Sequence, residues 1–226
     1  MDIPEDIRNK TYYHATSNEE LGETILKDRF IRPLKDVGKA FQSPVKGRIY
    51  LAQTQEEASI YAMGGIIAPG PEAVRGFSRG DHGYVFLVDG NDFIDVQPDE
   101  DSVGNMLHDA LNDSHIFTNL RSDPDFRARL RGLASTYLTE RQRWYAKDGD
   151  AIWLSHTGKV LLRHLSDWLK IDMIRRGANV AHLGPLPVRG VYKFDRKVKA
   201  PIFAPHHRLF RRPMRPVLVR PYRRRA

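Results

Sequence analysis

The chain of 226 residues contains no cysteine. Disulfides, iron–sulfur clusters and thiolate zinc sites are thereby excluded, and the composition fits a reducing compartment. It also lacks any apolar run of membrane-spanning length. The opening stretch, Met1-Asp2-Ile3-Pro4-Glu5-Asp6, is acidic and without the apolar segment of a secretory signal. A cytoplasmic protein with no membrane partner is expected. Nine histidines are present, yet neither an H-E-x-x-H motif nor any comparable ligand spacing occurs, so no metal is expected. There are no internal repeats.

Hydrophobic content of 41% and charged content of 28% are ordinary for a soluble domain. The length suits one domain with an appendage. Charge is unevenly spread. Residues 189–226 carry thirteen lysines and arginines against one acid, Asp195, a net +12, while residues 1–188 carry 23 against 27. The basic, proline-rich end, from Arg211-Arg212-Pro213 through Arg223-Arg224-Arg225, cannot bury a core. We read 1–204 as one domain and 205–226 as a tail that meets a polyanion, either nucleic acid or an acidic protein. A merely solubilising tail is the plainer reading.

Local patterns give a mixed order of elements. Thr11-Tyr12-Tyr13 has strand propensity. Ser17 with Glu20, and Thr54 with Glu57, form capping boxes that open helices to about Lys27 and Ala62. Residues 31–47 read as a loop, and Arg48–Ala52 as a strand. Residues 63–82 are rich in Gly and Pro and read as a second loop. Tyr84-Val85-Phe86-Leu87-Val88 is a continuous apolar strand, expected to be buried on both faces. Phe93–Val96 is a further short strand. Asp101 or Ser102 starts a helix towards Leu111. Asp123-Pro124 opens a long helix to about Ala146, and His156 or Thr157 opens another, stopped by Gly177. Strands at 179–183 and 190–194 close the order. Without strict βαβ alternation, the class is α+β.

Two strings carry the chemistry: Tyr12-Tyr13-His14-Ala15-Thr16, a strand running into small residues, and Gly47-Arg48-Ile49-Tyr50-Leu51-Ala52, a strand in which Tyr alternates with Ile and Leu. Together they resemble the ADP-ribosyltransferase superfamily, whose members cleave NAD. They are most similar to its His-Tyr-acid branch, which includes diphtheria-toxin-like and poly-ADP-ribose-polymerase-like enzymes and the small bacterial rifamycin ADP-ribosyltransferases. The resemblance covers roughly residues 10–100 and 178–195. It implies a split β-sheet core, with residues 101–177 a helical insertion that has no counterpart in the family.

The same resemblance implies a set of roles. His14 would bond ribose hydroxyls of NAD, the backbone of Ala15 (where the family usually carries Gly) would take the carboxamide, and Tyr50 would stack on the nicotinamide. Thr16 would lie beside the pocket. Tyr61 would flank the nicotinamide, or serve as a helix-face core residue. The third catalytic residue stays open between Glu100 and Asp95, within the acidic stretch Asp92, Asp95, Asp99, Glu100, Asp101. The start of the last strand, where many members carry Glu, reads Val188-Arg189-Gly190-Val191-Tyr192 and offers no acid, which favours a mono- over a poly-transferase. Arg48 precedes Tyr50 by two and shares its face. It is a candidate for the pyrophosphate or for a surface ion pair. Loop 63–82, with Arg75 and Arg79, is a candidate lid or a generic flexible loop.

Function is therefore expected to be NAD-dependent mono-ADP-ribosyl transfer to a macromolecule, nucleic acid or protein, as in a toxin or phage-conflict effector with an antitoxin partner. An RNA 2′-phosphotransferase-like enzyme would need paired Arg and His residues that the chain does not offer. The remaining alternative is a non-enzymatic nucleic-acid-binding or assembly protein acting through its tail, with Arg127, Arg129, Arg131, Arg141 and Arg143 extending the basic track.

Overall fold

A six-residue strand of alternating character, Thr11–Thr16 (β1), follows a short helix Glu5–Arg8 (α1) and runs antiparallel to His82–Asp89 (β4). The computed structural model describes residues 2–33, 47–63, 80–112, 123–149, 151–195 and 217–218. The loop 63–82 with Arg75 and Arg79 falls largely outside these residues, as does the tail 205–226 apart from the backbone of 217–218.

Between β1 and β4 come Glu19–Asp28 (α2), Phe30–Ile31 (β2), Arg48–Leu51 (β3) and Gln55–Ala62 (α3). After β4 come Val96–Pro98 (β5), then Glu100–Asn112 (α4), Pro124–Tyr137 (α5), Glu140–Asp148 (α6), Ala151–Leu162 (α7) and Asp167–Arg175 (α8). Val180–Leu183 (β6), Leu186–Pro187 (β7), Gly190–Asp195 (β8) and Val217–Leu218 (β9) complete the order. The class is α+β, with small antiparallel sheets: β1-β4-β8-β9, β3-β6-β5 and β2-β7. The first two are joined side by side at one point. The Tyr13 amide donates to the Ala52 carbonyl at 3.0 Å and the Ala52 amide to the Tyr13 carbonyl at 2.8 Å.

β4 is central and covered on both faces, which is why it reads as a continuous apolar run. On one side Tyr84, Phe86 and Val88 join Tyr12, Ile49, Leu51 and Val180 in the sheet core. On the other, Val85 packs with Ala52, Ala58 and Ala62 of the β3–α3 segment. Gly83 is required here, because a Cβ would lie 1.8 Å from the Ala62 carbonyl oxygen. A second core, built from Val103, Met106, Leu107, Leu130, Leu161 and Met173, holds the helices together. None of the described helices is long and apolar enough to cross a membrane.

Several boundaries differ from the sequence expectation. Asn18, not Ser17, caps α2, its side chain accepting from the Leu21 amide at 3.3 Å. Both residue types cap well, and the Thr16 hydroxyl accepts the Asn18 amide at 3.1 Å, which fixes the register. Thr54 does cap α3 through the Glu57 amide, but the Glu57 side chain turns elsewhere instead of closing a box. The long helix expected to run to about Ala146 breaks at Leu138, which is extended, and restarts at Thr139 with a complete capping box to Gln142. The helix expected from His156 begins at Ala151, ends at Leu162 and is followed by a separate one capped by Ser166. Leu161, Leu165, Leu169 and Met173 all face the helical core, so their spacing could not distinguish one helix from two. The strand expected at Phe93–Val96 lies at Val96–Pro98.

Candidate active site

The joint at Tyr13–Ala52 brings His14 and Tyr50 to neighbouring strands. Side chains alternate along a strand, so His14 points to the face opposite Tyr13, where its ring lies 6.5 Å from that of Phe86. From there the His14 Nδ1–H donates to the Tyr50 carbonyl at 3.0 Å. A carbonyl only accepts, so this contact puts the proton on Nδ1 and leaves Nε2 as the acceptor of a neutral ring. Burial lowers the His14 pKa, against the pull of the Tyr50 carbonyl, and favours that neutral form.

The Tyr50 hydroxyl donates to Glu100 Oε1 at 2.7 Å. Glu100 is 2% exposed, and its second oxygen, Oε2, has no hydrogen-bond partner among the described residues. An unpartnered buried carboxyl oxygen is costly in a protein with no further use for it. Of the two acids the sequence left open, Glu100 is the one joined to Tyr50. Asp95 is joined to Arg48, its Oδ2 lying 3.6 Å from Arg48 Nη2. Arg48 also donates to the Ala181 carbonyl at 3.4 Å. Arg48 thus faces Asp95 with a side chain that is only 15% exposed.

Ala15 and Thr16 extend β1 beyond the joint. Backbone groups alternate along an antiparallel strand, so the amide and carbonyl of Ala15 point the same way as those of Tyr13, towards the edge next to β3. The Ala15 methyl lies on the opposite face from the His14 ring, against the Ala52, Ala58 and Ala62 cluster. Thr16 is buried, and its hydroxyl serves α2. Tyr61, on α3, is 43% exposed. Its phenol pKa is pushed up by desolvation and then by the nearby charges of Glu57, Asp99 and Asp101.

These carboxyls form a setting that the pattern of caps and turns did not foretell. Asn179 Nδ2 donates to Glu57 Oε1 at 2.5 Å, and its own amide donates to Ser102 Oγ at 3.0 Å. The Asp99 amide donates to the Asn179 carbonyl at 2.8 Å. Asn179 thus ties α3 to the start of α4, the helix that carries Glu100. Asp99 Oδ1 accepts the Asp101 and Ser102 amides at 2.6 and 3.1 Å, an N-cap arrangement. Burial raises the pKa of Glu57, Asp99 and Asp101 alike, with Asp101 adding its charge to the rise at Asp99. Glu57 is missed because Thr54-x-x-Glu57 is fully explained as a capping box. Asn179 is missed because an Asn after a helix-stopping Gly reads as an ordinary turn residue.

Helix α7 sets the position of Glu100 from behind. Gly158 lies so close that a Cβ there would be 1.9 Å from the Glu100 carbonyl oxygen, and one at Gly104 would be 2.1 Å from that of Leu154. Two glycines therefore let α4 and α7 touch backbone to backbone. The arrangement unites a neutral imidazole acceptor, a half-buried phenol ring, a buried acid with one oxygen unpartnered among the described residues, and the β1 edge that faces β3. Such a set can bind an amide-bearing ring, orient a sugar and oppose a developing positive charge. Compared with known proteins, the chain matches no family model, no curated protein and no solved structure.

Proposed function

We propose that this chain is an NAD-dependent mono-ADP-ribosyltransferase of the His-Tyr-acid type, with Glu100 as its acid. The reading is carried by one observation: the hydroxyl of Tyr50 donates to the buried carboxyl of Glu100 while the imidazole of His14 donates to the carbonyl of the same tyrosine. Three residue types named from two short strings and an acidic stretch thus form one continuous hydrogen-bonded set.

NAD supplies a nicotinamide–ribose bond whose cleavage leaves positive charge on the sugar and releases neutral nicotinamide, as in glycoside cleavage. His14 Nε2 accepts from a ribose hydroxyl. The Ala15 amide and carbonyl match the acceptor and donor of a carboxamide. The Tyr50 ring offers its face to the nicotinamide, and its hydroxyl holds Glu100 in place. Glu100 opposes the developing charge with its unpartnered oxygen. That orphaned, buried oxygen is also what fits the chain to this substrate.

The acceptor is a macromolecule, and the +12 charge of residues 189–226 favours nucleic acid or an acidic protein. Transfer of a single unit is the expected outcome, because the start of the last strand, where many members carry Glu, reads Val188-Arg189-Gly190-Val191-Tyr192 and offers no acid.

Released nicotinamide tests the reading. The wild-type chain incubated with NAD should release it, and His14→Ala, Tyr50→Ala and Glu100→Gln should each lower the rate about a hundredfold or more, the scale of one lost positioned contact. Equal release by wild type and all three variants rejects it.

A further inference from the structure

The helical half carries a second feature, remote in function from the His14–Tyr50–Glu100 set. A groove of about 450 Å³ runs between α5 and the start of α8, lined by Arg129, Gly132, Leu133, Tyr137, Trp168 and their neighbours Thr136, Ser166 and Leu169. Trp168 is 57% exposed and Tyr137 is 41% exposed. The Arg129 guanidinium lies 5.3 Å from the centre of the Trp168 ring, and the Tyr137 ring stacks on His164 at 3.9 Å with 4° between planes. No carboxyl side chain is among the described lining residues. Asp167, the nearest acid in sequence, lies 3.5 Å from Lys170.

Gly132 is the odd residue. It sits inside α5, where alanine would be preferred, and a Cβ built on it meets nothing within 4 Å. Packing among the described residues therefore does not require it, unlike Gly104 and Gly158. Its one evident consequence is space on the floor of the groove. A helix that forgoes a side chain beneath two exposed aromatic rings and an arginine leaves room for something flat and negatively charged.

We propose that this groove binds unpaired nucleotides of a single-stranded nucleic acid. A base lies over Gly132 against the Trp168 and Tyr137 rings, and its phosphate meets the Arg129 guanidinium. Aromatic platforms beside a basic track are how strands are held without sequence preference. The +12 charge of residues 189–226 supplies the long-range attraction, and the groove supplies the contact with bases. A polypeptide fits less well. Its described walls are helices, which offer no strand edge for backbone pairing, and the Thr136 hydroxyl already donates to the Gly132 carbonyl at 2.9 Å.

The full chain is titrated separately with fluorescein-labelled oligothymidylate, with inorganic polyphosphate, which has the charge but no bases, and with polyglutamate, which stands for an acidic protein. Trp168→Ala should weaken oligothymidylate binding about tenfold and leave polyphosphate binding unchanged. Gly132→Leu should do the same while raising the melting temperature, since the side chain improves the helix and fills the groove. A glycine kept for structure alone would give the reverse pattern. Wild-type affinity for oligothymidylate in both variants overturns the proposal. So does an equal loss for both polyanions, and so does selective loss of binding to polyglutamate, which would mark the groove as a seat for an acidic protein.

Discussion

Gly158 and Glu100 touch through their backbones: a Cβ on the glycine would lie 1.9 Å from the Glu100 carbonyl oxygen. The position of the candidate acid is thereby fixed by a residue on another helix that makes no side-chain contact at all. Gly158→Ala must separate α7 from the first turn of α4. Overpacking of this kind costs about 1–3 kcal/mol, which thermal denaturation will report. Nicotinamide release should fall with it. Gly104→Ala is the control. Its Cβ would strike the Leu154 carbonyl at 2.1 Å, one turn beyond Glu100, so a comparable loss of stability with a smaller loss of activity is expected. Equal activity losses in the two variants would mean that Glu100 is not the group being displaced.

Tyr50 has two separable functions, a ring and a hydroxyl. Tyr50→Phe keeps the ring but removes the donor to Glu100 Oε1, leaving both oxygens of a buried carboxyl without a hydrogen-bond partner among the described residues. An unsatisfied buried group costs about 1–3 kcal/mol. The variant should therefore be less stable, bind NAD with nearly unchanged affinity through the ring and release nicotinamide about a hundredfold more slowly. In the double variant Tyr50→Phe/Glu100→Gln the stability losses should not add, because both changes act on one contact. Additive losses would mean the 2.7 Å bond contributes nothing of its own.

The central strand β4, the class and the Asp123-Pro124 start of α5 were legible because each follows from a local rule: an apolar run, an order of elements, a cap. The meeting of His14 with Tyr50 rested on resemblance alone, since no local rule says which edges of β1 and β3 face each other. The choice between Glu100 and Asp95 was open for a related reason. Both are acids in a polar stretch, and only the turn of β5 into α4 decides which is buried under Tyr50 and which is left to Arg48. Asn179 was invisible because its contacts, to Glu57, Asp99 and Ser102, are all long-range or backbone. Gly132 and Gly158 look alike in the sequence, yet one faces open space and the other a carbonyl oxygen.

The His14 ring should make the protein sensitive to mild acid. Its pKa is lowered from 6.5 in the folded chain by burial, so the unfolded chain binds the proton more readily. Stability is then complete above the ordinary histidine value and is lost as pH falls from there through the folded value. Nicotinamide release should fall over the same range, because protonation removes the Nε2 acceptor. His14→Asn retains a donor to the Tyr50 carbonyl and should flatten the slope of melting temperature against pH near 6. An unchanged slope would assign that titration to another group.

Asp99 should act in the opposite sense. It is 8% exposed, and burial together with the Asp101 charge raises its pKa from the ordinary 3.8. The folded chain therefore holds the proton more tightly than the unfolded one, so this group's penalty is absent below the ordinary value and grows as pH rises towards the folded one. Asp99→Asn keeps an oxygen acceptor for the Asp101 and Ser102 amides, and Asn is as good a cap as Asp. It removes only the charge. The variant should match wild type near pH 4 and exceed it at pH 8 by about 1 kcal/mol or more, each pKa unit being worth about 1.4 kcal/mol. Chemical denaturation at the two pH values measures this difference directly. A loss of stability at pH 8 would show that the charged cap stabilises α4 by more than burial costs it, and the carboxyls beside Glu100 would then be a structural cap and not a strained acidic pocket.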